Sequence, residues 1–117
     1  MTTLFVVLAT LAAGGVGTVI RFIVVSRAPI KGVHGVNVAG TVVLALMVAL
    51  FNTGRIDWPI AVVFGVGFSG ALTTFSTWIG LIDERIGANP VRTVLRDVAA
   101  PVVIAVAFTV FVFVLVS

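Results

Sequence analysis

GFSGALTTFSTW, residues Gly67 to Trp78, interrupts the middle of a long apolar run. It brings Gly67 and Gly70, and then four hydroxyls and two aromatics within the six residues Thr73 to Trp78. Glycine costs a helix interior about 1 kcal/mol relative to alanine, and Gly65 adds a third just ahead of the string. A helix that breaks inside lipid frees backbone groups that no water can satisfy. Such a break persists only where it lines a cavity or binds something. Freed carbonyls there hold a cation, and nearby hydroxyl donors hold an anion.

The surrounding chain is a membrane sequence. Of its 117 residues 61% are hydrophobic and only 9% charged, with a mean hydropathy of +1.33. A soluble domain of that balance would have no surface to show to water. The net charge of +3 invites a nucleic-acid reading. The seven Lys and Arg are scattered through connections and form no basic stripe, so no nucleic-acid partner is expected. No cysteine is present, which excludes disulfides and thiolate metal sites, and His34 is the single histidine.

Four segments are long enough to cross a hydrocarbon core of about 30 Å as helices. They run from about Thr3 to Val25, Val33 to Phe51, Trp58 to Ile82 and Val98 to Val116. The first lacks a basic leader and stays apolar past the small residues, so it reads as a transmembrane helix and not a signal peptide. The period-2 alternation of a barrel strand is missing. The expected fold is a single all-α membrane unit over residues 1–117, with four transmembrane helices and the third broken at mid-membrane. NTGRIDWP (Asn52 to Pro59) reads as a tight turn, with Asp57 capping the third helix and Trp58 an interfacial anchor. DERIGANPVRTVLRD (Asp83 to Asp97) reads as the one longer loop, with a short amphipathic turn after Pro90.

Arg21, Arg27, Lys31, Arg85, Arg92 and Arg96 fall at the first and third connections, on one side of the membrane, against Arg55 on the other. The positive-inside rule then puts both termini outside the cytoplasm.

The four acids, Asp57, Asp83, Glu84 and Asp97, all lie at helix ends or in loops. A proton-coupled small multidrug exporter needs a membrane-embedded acid, so that reading is disfavoured. Paired-carboxylate catalysis goes with it, and the residues of a hydrolase or transferase site are not there. Inside the membrane the polar groups are neutral: Asn37, Thr41, Thr73, Thr74, Ser76, Thr77 and Thr109. Taken singly, each is helix-packing glue. Their concentration in Thr73 to Thr77, behind the glycines, favours a site. Phe75 and Trp78 are three apart and share a helix face. An aromatic ring is positive at its edge, so rings flanked by hydroxyl donors suit a small anion that is held loosely.

Three motifs bear a family resemblance. GFSGALTTFSTW resembles the third-helix signature of the Fluc (CrcB) fluoride channels. GGVGTVIR (Gly14 to Arg21) resembles that family's first-helix motif, and GVHGVNVAG (Gly32 to Gly40) its second-helix motif. The resemblance implies a dual-pore channel of two antiparallel subunits in a bacterial plasma membrane, with membrane lipid around it. It implies a structural sodium ion at the dimer centre, held by the backbone carbonyls of Gly70 and Thr73. Fluoride would meet Asn37, Phe75, Ser76, Thr77, Trp78 and Thr109, with Arg21 in the vestibule. An interfacial side chain snorkelling from its helix end is the plain alternative for Arg21. Trp78 departs from the family pattern, which has phenylalanine there. Ala105 stands where a serine is expected, and Val33 and His34 alter the start of the second-helix motif. With the six-to-one charge bias, these departures point to a chain that inserts one way and pairs with a homologous, oppositely oriented subunit. A non-conducting structural partner subunit is the alternative.

Overall fold

The computed structural model describes residues 2–87 and 89–117. Its long helices are α1 (Thr3–Arg27) and α2 (Pro29–Asn52), then α3 (residues 58–72) and α4 (Phe75–Ile86), which together make the span Trp58–Ile86, and finally α5 (Pro90–Val116). All four spans are long and apolar enough to cross a membrane, and the described residues contain no strand. The molecule is a multi-pass, all-α membrane protein.

Helix boundaries follow local chemistry. Only Ala28 (φ −145°, ψ 84°) separates α1 from α2, because Pro29 pre-sets the first helical position and starts α2 ahead of the expected Val33. After α2 the chain turns at Gly54, whose φ of +74° is open to glycine at little cost. Asp57 stands at the N-cap of α3 with extended backbone, but its side chain makes no capping hydrogen bond, contrary to the sequence expectation.

The expected loop from Asp83 to Asp97 is mostly helix. α4 continues to Ile86, and α5 begins at Pro90, capped by Asn89, whose Oδ1 accepts from the Arg92 N–H at 3.2 Å. Asparagine before proline is a strong start signal, and it outweighs the polarity of the stretch. Ala88 lies outside the described residues. Asp97 is therefore inside α5 and 1% exposed, not in a loop.

Backbone approach at small residues brings the helices together. A Cβ on Gly17 of α1 would stand 2.6 Å from the Phe68 carbonyl, and one on Gly67 2.6 Å from the Thr10 carbonyl, so α1 and α3 meet backbone to backbone. α2 lies between this pair and α5. Ala45 and Ala49 of α2 form a small core with Val112 and Val116 of α5. At the other end Ala28 and Lys31 share a cleft with Glu84 and Arg85, so the two basic connections occupy one end of the molecule. The whole measures 52 × 30 × 17 Å, a flattened slab. So thin a slab buries few of its large apolar side chains against itself.

Candidate functional site

The span Trp58–Ile86 breaks at Thr73 (φ −76°, ψ 151°) and Thr74 (φ −146°, ψ 112°), both extended. Upstream, Val62–Ser69 is wound as π-helix, and the Ser69 hydroxyl donates back to the Phe64 carbonyl at 3.1 Å. π-Turns of this kind loosen the i→i−4 ladder before it ends.

Asn37 of α2 holds the break. Its Oδ1 accepts the Thr74 N–H at 2.7 Å, and its Nδ2 donates to the Thr74 carbonyl at 3.2 Å. One side chain thus replaces both ladder partners of a buried residue. The Thr74 hydroxyl in turn caps α4 by accepting from the Thr77 N–H at 3.4 Å. In an unbroken helix the N–H groups of Thr74 and Thr77 would donate to the carbonyls of Gly70 and Thr73. Here both are used elsewhere. The carbonyls of Gly70 and Thr73 are among those the break releases, and a Cβ at Gly70 would meet nothing within 4 Å. The Thr73 hydroxyl gives the Gly70 carbonyl a long contact of 3.4 Å and the Ser69 carbonyl a better one at 3.1 Å.

The break also sets two helix ends face to face. α3 ends with partially negative carbonyls, and α4 begins with partially positive N–H groups, at the same depth. Phe75 opens α4 and is 72% exposed, the ring least covered by its own chain among the described aromatics. Its centroid lies 5.8 Å from that of Trp78 at 64°, an edge contact, as the spacing predicts.

Three cavities adjoin the break. One of about 490 Å³ is lined by Asn37, Gly70, Thr73, Phe75 and Trp78 among others. A second, of about 450 Å³, is lined by Arg21, Thr18, Ser26, Ser76 and Thr77. Ser76 and Thr77 turn away from the face that carries Phe75 and Trp78, as helical periodicity requires. Asn37, Phe75 and Trp78 therefore gather on one side, and Ser76, Thr77 and Arg21 on the other. Thr109 lines neither cavity. Its hydroxyl bonds to the Ala105 carbonyl in its own helix at 2.9 Å. Arg21 makes no ion pair among the described residues.

A third, smaller cavity of about 130 Å³ lies between His34, Asn37, Thr41, Trp78, Pro101 and Ala105. Beside it is a cluster that sequence reasoning missed. Asp97 Oδ1 takes His34 Nε2 at 3.3 Å and Arg96 Nε at 2.9 Å, while Oδ2 takes Arg85 Nε at 3.2 Å. The signal was available: His34 is one turn from Asn37 on α2, and Asp97 one turn from Pro101 on α5. Among the described residues no group of His, Asp and Glu is arranged to hold a metal.

This architecture matches a known family. The profile described as "CrcB-like protein, Camphor Resistance (CrcB)" matches residues 8–114. The chain belongs to the CrcB family. The matched stretch of this CrcB chain contains the break, its asparagine clasp and every candidate residue named above. Among its relatives, "Fluoride-specific ion channel FluC 1" of Symbiobacterium thermophilum is 40% identical over 74% of this chain and 77% of its own. "Fluoride-specific ion channel FluC 2" of Mycolicibacterium paratuberculosis is 34% identical over 89% and 88%. "Fluoride-specific ion channel FluC" of Vibrio cholerae is 33% identical over 82% and 90%. All three carry the name of a channel and not of an enzyme.

Proposed function

We propose that this chain is a subunit of a fluoride-selective passive channel in a bacterial plasma membrane, through which cytoplasmic fluoride leaves the cell. The observation that carries the reading is the mid-span break clasped by Asn37, in a chain whose relatives are named as fluoride channels. An inside-negative potential favours anion exit by about 2.3 kcal/mol per 100 mV, so no energy coupling is required. Selectivity rests on exchanging the water around fluoride for amide, hydroxyl and ring-edge contacts. Asn37 keeps one Nδ2–H beyond the one given to Thr74. Phe75 and Trp78 present ring edges on that face, and Ser76, Thr77 and Arg21 serve the opposite one. Thr109 joins the path only through a second subunit or a rotated side chain.

The working unit in this reading is a dual-pore antiparallel dimer with a structural sodium ion. The carbonyls of Gly70 and Thr73 suit a hard cation that takes oxygen ligands. Two carbonyls do not fill such a shell, and a two-fold axis in the membrane plane would bring the same two from a second copy. Sodium would offset the facing negative ends of two α3 helices. The slab shape and the open backbone at Gly70 support this pairing. The six-to-one charge bias favours a homologous, oppositely inserted partner over a second copy of the same chain.

Trp78 keeps one alternative open, a structural partner that completes the dimer without conducting. Trp78→Phe separates the two, since a gain in conductance marks a degenerate pore. The primary test reconstitutes the purified chain in liposomes and records fluoride efflux with an ion-selective electrode, with chloride as control. Selective efflux supports a working homodimer. Folded protein without efflux directs attention to a partner subunit. Equal fluoride and chloride efflux refutes the pore reading.

A further inference from the structure

Trp78 carries a group that phenylalanine lacks, and the fold has a use for it. The indole Nε1–H donates to the main-chain carbonyl of Asp97 at 2.8 Å. That carbonyl is open to an outside donor for a reason legible in α5. In an α-helical turn its partner would be the N–H of residue 101, and residue 101 is proline, which has none. The preceding turn, Val94–Ala99, is wound as π-helix, which accommodates Pro101 inside a continuous span. Asp97 is itself held, its carboxylate gripped by His34 of α2, Arg85 of α4 and Arg96 of α5. The acceptor is therefore fixed in place.

We propose that Pro101 and Asp97 form a latch that takes the indole N–H of Trp78 out of the ion path and makes its ring serve as a plain aromatic edge. The inference rests on the channel reading above and deepens it. An indole N–H is a far stronger anion donor than a ring C–H, and a strong donor beside the path would hold a small anion too long to conduct. Bound to Asp97, the N–H is spent. The rest of the ring still meets Phe75 edge-on and lines the cavity that Asn37 and Gly70 share. Pro101 and Asp97 act through Trp78 and are positioning residues.

Pro101→Ala tests the latch, because it gives the Asp97 carbonyl a main-chain donor that competes with the indole. Two readouts are needed, both on the full chain. The first is hydrogen exchange of the Trp78 indole N–H by NMR, its resonance identified by the loss of the other in Trp58→Phe. Slow exchange in the parent and faster exchange in Pro101→Ala is expected. An indole that exchanges freely in the parent overturns the latch. The second is fluoride efflux from liposomes. Pro101→Ala is expected to slow efflux about three- to tenfold, the weight of one hydrogen bond, in the parent background. In the Trp78→Phe background it should leave the rate of that variant unchanged. Equal slowing in both backgrounds overturns the proposal, since a general defect in α5 would not depend on the indole. A protected indole in a parent that conducts neither alone nor beside a homologous, oppositely inserted subunit removes the channel reading, and this inference with it.

Discussion

Removing the Asn37 amide should release the break and nothing else nearby. Asn37→Ala deletes both hydrogen bonds to Thr74, at 2.7 and 3.2 Å. Thr74 is 8% exposed, so its N–H and carbonyl find little water in exchange. Two lost bonds at about 0.5–1.5 kcal/mol each give roughly 1–3 kcal/mol. Side-chain hydrogen bonds between membrane helices average about 0.6 kcal/mol, which argues for the lower half of that range. Locally the effect is sharper. Exchange of the Thr74 amide should accelerate about 5- to 100-fold, since each 1.4 kcal/mol of opening energy is a factor of ten. Amides in α1, packed through Gly17 and away from the clasp, should keep their parent rates. Hydrogen exchange by NMR in detergent micelles reads both, and a denaturing-detergent titration gives the global loss. The clasp is refuted if Thr74 exchanges at the parent rate in Asn37→Ala. It is also refuted if acceleration spreads evenly over the chain, because the asparagine would then be generic packing.

Gly17→Ala places a methyl 2.6 Å from the Phe68 carbonyl and should cost about 1–3 kcal/mol, whereas Gly15→Ala, with nothing within 4 Å, should be neutral or slightly stabilising. The same titration compares them. Phe75→Ile should cripple fluoride efflux while leaving the unfolding midpoint near that of the parent, since the ring is 72% exposed and supports no core. If that variant conducts like the parent, Phe75 is outside the working path. Asp97→Asn removes the charge that holds His34, Arg85 and Arg96, and should destabilise by about 1–3 kcal/mol. No change in stability would mean that the cluster is held by water and not by its carboxylate.

Much of the fold is legible in the residues alone. Long apolar runs must be helices in lipid, and Pro59 starts the third as expected, whereas Pro29 and Pro90 start theirs ahead of the expected Val33 and Val98. The break at Thr73–Thr74 is legible too, because the glycines weaken an apolar span just where the hydroxyls offer its backbone competing partners. Polarity is a poor proxy for loop. Asp83 to Asp97 has the charge of a connection, yet Arg85, Arg96 and His34 gather on Asp97, and helix carries on through most of it. The Asp57 cap failed for a smaller reason, since N-cap propensity cannot say which way an exposed side chain points.

Four membrane-crossing segments, a third span that breaks at the hydroxyl string and the motifs of the CrcB family are all written in the order of the residues. They need only local information: hydrophobic length, helix propensity and side-chain succession. What the polar groups do was settled only by packing. Asn37 is far from Thr74 in the chain, and only the docking of α2 on the break makes it the clasp. Periodicity separates Ser76 and Thr77 from Phe75 and Trp78, but which cavity each pair lines depends on the neighbour that covers each face of α4. The hold of Asp97 on Trp78 joins two helices whose contact no local pattern encodes. A hydrogen-bonding group declares its capacity in the sequence, but its partner is set by distance and angle, and these exist only once the helices have packed.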